Sequence, residues 1–188
     1  MIRRLLPAAL VIAFTGAAPA VSGPATSSDP GPGAAHPGMP RFTADGALLR
    51  PESVERWVLV GTSLGLGYSN ATGDGVGMFH RVYLEPRAYE HFLRTGGFRD
   101  GTMLALSIRK AVTRVPPSRA GWSEGELAAL ELAVKDPQKF QGGWAYFDFG
   151  LDARSARALP RERCARCHAE HAARDNVFMQ FYPQLRAR

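Results

Sequence analysis

Between residues 57 and 149 the chain alternates short apolar runs with turn residues, which is the texture of strands rather than of long helices. Residues 42–50 form a lead-in with a turn at Asp45-Gly46, and residues 51–56 a helical turn with proline near its start. Residues 57–62, apolar and partly β-branched, predict a buried strand, and residues 79–84 a second one ended by Glu85-Pro86. Between them, residues 65–77 carry five glycines and predict a loop, mobile unless a ligand or a neighbouring chain pins it. A short helix is predicted over 87–94, with Tyr89, Phe92 and Leu93 at helical spacing and Gly96-Gly97 to stop it. His91 falls on its flank, a surface or packing position.

Asp100-Gly101 signals a turn into a third strand over 102–110. There Thr102, Leu104, Leu106, Ile108 and Lys110 share one face, and Met103, Ala105, Ser107 and Arg109 the other. A polar, turn-rich linker is expected over 116–126. Periodicity alone leaves 127–134 as helix or strand; the Lys135-Asp136-Pro137 stop and the Gly142-Gly143 pair ahead of another strand-like run, 144–149, favour strand. After Gly150 the chain is expected to be helical to its end, through 161–173 and an aromatic-rich segment over 176–185. The fold class is therefore α+β: a predominantly antiparallel β-sheet with a few helices.

The N-terminus bears on compartment. Arg3 and Arg4 precede an apolar run over 5–14 and the A-x-A site Ala18-Pro19-Ala20, so residues 1–20 read as a signal peptide. That run is shorter than the roughly 20 residues that cross a bilayer, and no other stretch predicts a transmembrane span. Residues 21–41, rich in Pro, Gly, Ala and Ser, read as a flexible leader, which makes its His36 and Met39 poor ligands. The expected domain is 42–188, exported and periplasmic.

Removing residues 1–20 deletes two arginines and no acids, so the formal charge falls from +6 to +4. The arginines from Arg154 to Arg174 are interleaved with Asp152, Glu162 and Glu170. This is no nucleic-acid stripe; it is either a solvated face or a docking surface for an acidic electron-transfer partner.

The chemistry centres on Cys164-Ala165-Arg166-Cys167-His168, which contains the only two cysteines of the chain. C-x-x-C-H is the attachment pattern of haem c: two thiols one helical turn apart for the vinyl groups, and an imidazole for the iron. Other readings compete: a zinc site using Cys164, Cys167, His168 and His171, which lacks a second separated pair; a thioredoxin-like redox centre, which lacks the strand and helix alternation; and a disulfide, which leaves His168 unexplained. Only twenty residues follow His168. Met179, 11 residues past it, is too close at about 1.5 Å per helical residue to wrap to the opposite side of an iron. An open or weakly occupied distal position is expected, suited to small ligands or to chemistry.

An ordered set of segments resembles the cytochrome P460 family, which includes the β-sheet type of cytochrome c′. The set runs from Leu49-Arg50-Pro51 and the strand at Trp57 through Val82-Tyr83-Leu84-Glu85-Pro86 and Phe98-Arg99-Asp100-Gly101-Thr102. It continues through Ala133-Val134-Lys135-Asp136, Gly143-Trp144-Ala145-Tyr146-Phe147 and the cysteine motif to Asn176-Val177-Phe178 and Phe181-Tyr182-Pro183. The resemblance implies one covalent haem c on Cys164 and Cys167, His168 as proximal ligand, and commonly a homodimer. Members that oxidise hydroxylamine carry a lysine bonded to the porphyrin; that position is Leu106 here. Lys110 lies four residues on, about 13 Å along an extended strand.

The family's distal carboxylate falls on Glu131, which shares a face with Leu127, Ala129 and Ala133 and would otherwise point at water. His80 lies near a polar distal position; it alternates with Val82 and Leu84, which favours it over Arg81 as the inward residue, with a packed core histidine as the plainer reading. The leading function is capture of nitric oxide or carbon monoxide at an open iron. The alternative is oxidation of hydroxylamine or nitric oxide with Glu131 and His80 as distal catalytic groups, and simple electron transfer stands third.

Overall fold

The computed structural model describes residues 38–67 and 76–186. The predicted signal peptide, most of the predicted leader and the centre of the glycine-rich segment lie outside the described residues. In chain order the elements are β1 (Leu48–Leu49), β2 (Val58–Leu64), β3 (Met78–Leu84), α1 (Pro86–Thr95), β4 (Met103–Thr113), β5 (Trp122–Lys135), β6 (Trp144–Asp148), β7 (Ser155–Ala156) and α2 (Ala165–His171). Three short 3-10 turns, at Val54–Arg56, Met179–Phe181 and Pro183–Leu185, complete the described set.

Strands β2 to β6 form one five-stranded sheet in which every strand pairs antiparallel with its chain neighbour; β1 and β7 form a separate antiparallel pair. The α+β class and the predominantly antiparallel sheet are as the sequence predicts. Because successive side chains point to opposite faces, the sheet separates two cores. Met103 and Ala105 of β4 pack with Tyr83, Leu132 and Phe147 on one face. Leu104 packs with Leu84, Trp144 and Tyr146 on the other, under α1 and the C-terminal segment. Each large apolar side chain fully buried in this way contributes about 1.5–3 kcal/mol.

The predicted stops of α1 are visible as caps. Glu85, 4% exposed, accepts from the backbone N–H groups of Arg87 and Ala88, and Pro86 occupies the first turn. Gly96 ends the helix at φ 69°, with its N–H on Phe92 O. Ala88 and Phe92 form the buried stripe, whereas Leu93 is 62% exposed and takes no part in it.

Two expectations are corrected. The polar linker narrows, because β4 runs to Thr113 and β5 starts at Trp122, its direct partner. The polar residues here belong to a solvent-exposed hairpin laced by Lys110–Glu126 at 3.0 Å and Arg81–Glu124 at 3.1 Å. The continuous helix after Gly150 is absent: α2 has seven residues, Ser155–Ala156 is a strand and the end is 3-10. Pro160 and Pro183, together with Asp175 and Asn176 at φ 48° and 57°, cannot be accommodated in a running helix. Arg41, the last residue of the predicted leader, accepts at its backbone O from Leu49 N at 2.8 Å. No helix of the described residues is long and apolar enough to cross a membrane.

Candidate functional site

On the second core's face a cavity opens, with about 1170 Å³ of atom-free space, part of it continuous with solvent. Its wall follows the sheet register. Val82, Leu106 and Glu131 are successive cross-strand partners on β3, β4 and β5, and Leu104 and Ala133 form the next row. His80 joins the wall two residues before Val82. Arg81 points to the opposite face, where it pairs with Glu124 and lies 5.2 Å from the ring centre of Tyr83. Of these two neighbours it is His80 that lines the cavity.

The end of α2 supplies the rest. Cys164, Cys167 and His168 all line the same cavity, so the five residues singled out in the sequence converge on one space. His168 N–H donates to Cys164 O at 3.1 Å. That turn sets the two thiols and the imidazole on one side of the helix. Both cysteines are half-buried and free of a disulfide. His171 turns out beside Glu170 at 3.7 Å, and no group of three or more His, Cys, Asp or Glu is placed to share a metal ion among the described residues.

His168 is held on three sides. Its ring lies 4.5 Å from the ring centres of both Tyr146 and Phe178, and its Nδ1 is 2.8 Å from Asn176 O. A carbonyl only accepts, so Nδ1 carries the proton and the lone pair of the neutral ring is on Nε2. Burial keeps the ring neutral by pushing its pKa below the usual histidine value, with the Asn176 hydrogen bond acting the other way.

The remaining polar groups are electrostatically distinct. Burial raises the Glu131 carboxyl above its usual value; the cross-strand partner Asp148 adds to this, and Arg163 opposes it. Burial, then Glu131, raises the Cys164 thiol, and burial alone lowers His80. Burial also holds the Tyr146 phenol firmly protonated. At neutral pH the wall is therefore largely apolar, with an uncharged imidazole at His80, a reluctant carboxylate at Glu131 and the Arg163 guanidinium.

Met179 and His91 do not line the cavity among the described residues. Lys110 is engaged with Glu126, away from the place of Leu106. Sequence reasoning missed Tyr146, Phe178 and Asn176 as the setting of His168, and Arg163 as a wall residue. Asn176 lies in a turn whose left-handed residues are a local signal only in retrospect.

The donor set fits a haem: two free thiols and a neutral imidazole share one wall of a cavity otherwise lined largely by apolar side chains. No curated protein matches the chain. The model of the cytochrome P460 family matches residues 51–179.

Proposed function

The chain belongs to the cytochrome P460 family of haem c cytochromes, and from that premise we propose that it binds a small diatomic ligand, such as nitric oxide or carbon monoxide, at an open haem iron. One haem c is held by Cys164 and Cys167, with His168 as proximal ligand. The observation that carries this reading is the His168 Nδ1–H bond to Asn176 O on the cavity wall. That bond leaves the lone pair on the nitrogen a metal would use.

Bound there, a haem would supply an iron able to take up a small ligand and to change oxidation state. The chain's own residues set what reaches it. Val82, Leu106 and Ala133 present an apolar surface that disfavours water and offers no competing ligand. Neutral His80 can donate to, or accept from, the polar end of a small ligand. No methionine lines the cavity among the described residues, which sets simple electron transfer behind ligand binding.

A second reading, oxidation of hydroxylamine or nitric oxide, draws support from Glu131. A carboxylate on the wall with a raised pKa is suited to taking a proton from a nitrogen substrate. Leu106, at the position where hydroxylamine-oxidising members carry lysine, weighs against it.

The remaining parts of the proposal concern setting. Residues 1–20 serve as a signal peptide and 21–41 as a leader, with the haem domain over 42–188 acting in the periplasm as a homodimer. Exposed Arg163 and Arg166 beside the cysteines suit an acidic electron-transfer partner. The test is the absorption spectrum and intact mass of the purified ferrous protein. A five-coordinate haem c spectrum that shifts with carbon monoxide supports ligand binding. A strongly red-shifted Soret band with a third covalent linkage moves the assignment to oxidation, and a mass without haem overturns both.

A further inference from the structure

We propose that Asp175 is a positioning residue for His168, acting through the carbonyl of Asn176; the inference rests on the reading of His168 as the iron's proximal ligand. The β5–β6 register places Lys135 directly opposite Trp144. The Asp175 carboxylate bridges the two, one oxygen accepting from Lys135 Nζ at 2.6 Å and the other from Trp144 Nε1 at 3.1 Å. Lys135 is itself anchored, donating to Phe98 O at 2.8 Å, and Trp144 is 3% exposed.

A carboxylate held at both oxygens cannot swing, and this one fixes a turn that needs fixing. Asp175 and Asn176 both sit in the left-handed region, which side-chain-bearing residues keep only when their surroundings over-determine it. Asn176 Nδ2 adds a bond to Gly142 O at 3.3 Å. The result is one carbonyl, outside any helix or strand, aimed at the cavity: Asn176 O receives His168 Nδ1–H at 2.8 Å and the Tyr146 hydroxyl at 3.5 Å.

A hydrogen bond from the far ring nitrogen makes a ligating imidazole a stronger donor, which strengthens its metal bond and favours the oxidised metal. The sheet end thus tunes the ligand through a side chain that touches neither ligand nor cavity centre.

The test uses the haem-loaded protein and its Asp175→Ala, Asp175→Asn and Trp144→Phe variants. The readouts are the iron–histidine stretching frequency of the ferrous form and the midpoint potential. Asp175→Ala is expected to lower the frequency and raise the potential. Asp175→Asn, which keeps an acceptor for Trp144, should shift both by less. Unchanged frequency and potential beside a lowered melting temperature would reduce Asp175 to a structural role and overturn the inference. If Asp175→Ala does not accumulate, the absence of a shift in both milder variants overturns it equally. A parent protein with haem but no iron–histidine band would sink the reading of His168 itself, and this inference with it.

Discussion

Leu106 on β4 and Glu131 on β5 are direct cross-strand partners, so Glu131 faces the cavity beside a residue that offers no charge to pair with it, while its other cross-strand partner is the like-charged Asp148 on β6. The pairing separates the two functional readings. If the protein only captures a diatomic ligand, Glu131→Ala should leave carbon monoxide and nitric oxide affinity within a few-fold. If it oxidises hydroxylamine or nitric oxide with Glu131 as base, turnover should fall by the roughly 10²–10⁴-fold that general-base catalysis supplies. Parallel ligand titration and steady-state assays on the same preparation decide the matter.

The same carboxyl predicts a pH dependence of stability. Its folded pKa is raised above the ordinary value of 4.5 by burial and by Asp148. An acid raised on folding stabilises the fold below its unfolded pKa, and that contribution is lost as pH rises through the folded value. Glu131→Gln, which does not titrate, should therefore gain melting temperature relative to the parent as pH rises from about 4 to 7. A difference that is flat or shrinks over that window contradicts a raised pKa at Glu131.

Replacing the cysteines separates covalent attachment from pocket binding. With both Cys164→Ser and Cys167→Ser, the haem should leave the polypeptide in acidified acetone. Either single change should retain it through one linkage, with a red-shifted α band in the pyridine haemochrome. Haem that stays bound through denaturation of the double variant would mean that another side chain carries a covalent link.

Much of this architecture can be read in the sequence where the signal is local. The two-residue alternation of β4 assigns Leu104 and Met103 to opposite cores, and the same parity turns His80 inward and Arg81 outward. Glu85-Pro86 and Gly96 mark the ends of α1 because the caps lie within a turn of the residues they serve. The C-terminal part reads as helix in the sequence and is not, because its shape comes from afar. Trp144 meets Asp175 across 31 residues and Lys135 across 40, and neither bond leaves a periodic trace near Asp175. The His168–Asn176 bond is hidden for the same reason: it depends on a turn whose conformation those distant contacts fix.

Glu85 tests whether the cap is independent of the site. It satisfies two N–H groups of α1 and lies 3.5 Å from the Arg99 guanidinium. Its loss in Glu85→Ala should cost the 0.5–2 kcal/mol of a helix cap, or about that range, with more from leaving Arg99 unpaired. Chemical denaturation should register this as a lower midpoint. The ferrous spectrum should not move, since Glu85 does not line the cavity.

His80 gives the opposite pH signature to Glu131. Burial depresses its pKa below 6.5, so the neutral ring is the form the fold accommodates. A histidine depressed on folding contributes stability that is present above its unfolded pKa and is lost as pH falls toward and through the folded value. In the haem-loaded protein the His80 contribution should therefore be lost below pH 6.5, by at most about 1.4 kcal/mol per pH unit for one proton, against the opposite trend that Glu131 supplies. His80→Gln should flatten that slope while leaving the neutral-pH melting temperature close to the parent's. Because His168 would be withheld from titration by the iron in the loaded form, a slope that persists in His80→Gln would show that His80 is not the group responsible. Ligand affinity measured over the same window adds a second reading. If neutral His80 hydrogen-bonds the bound ligand, affinity should fall with the same apparent pKa in the parent and lose that dependence in the variant.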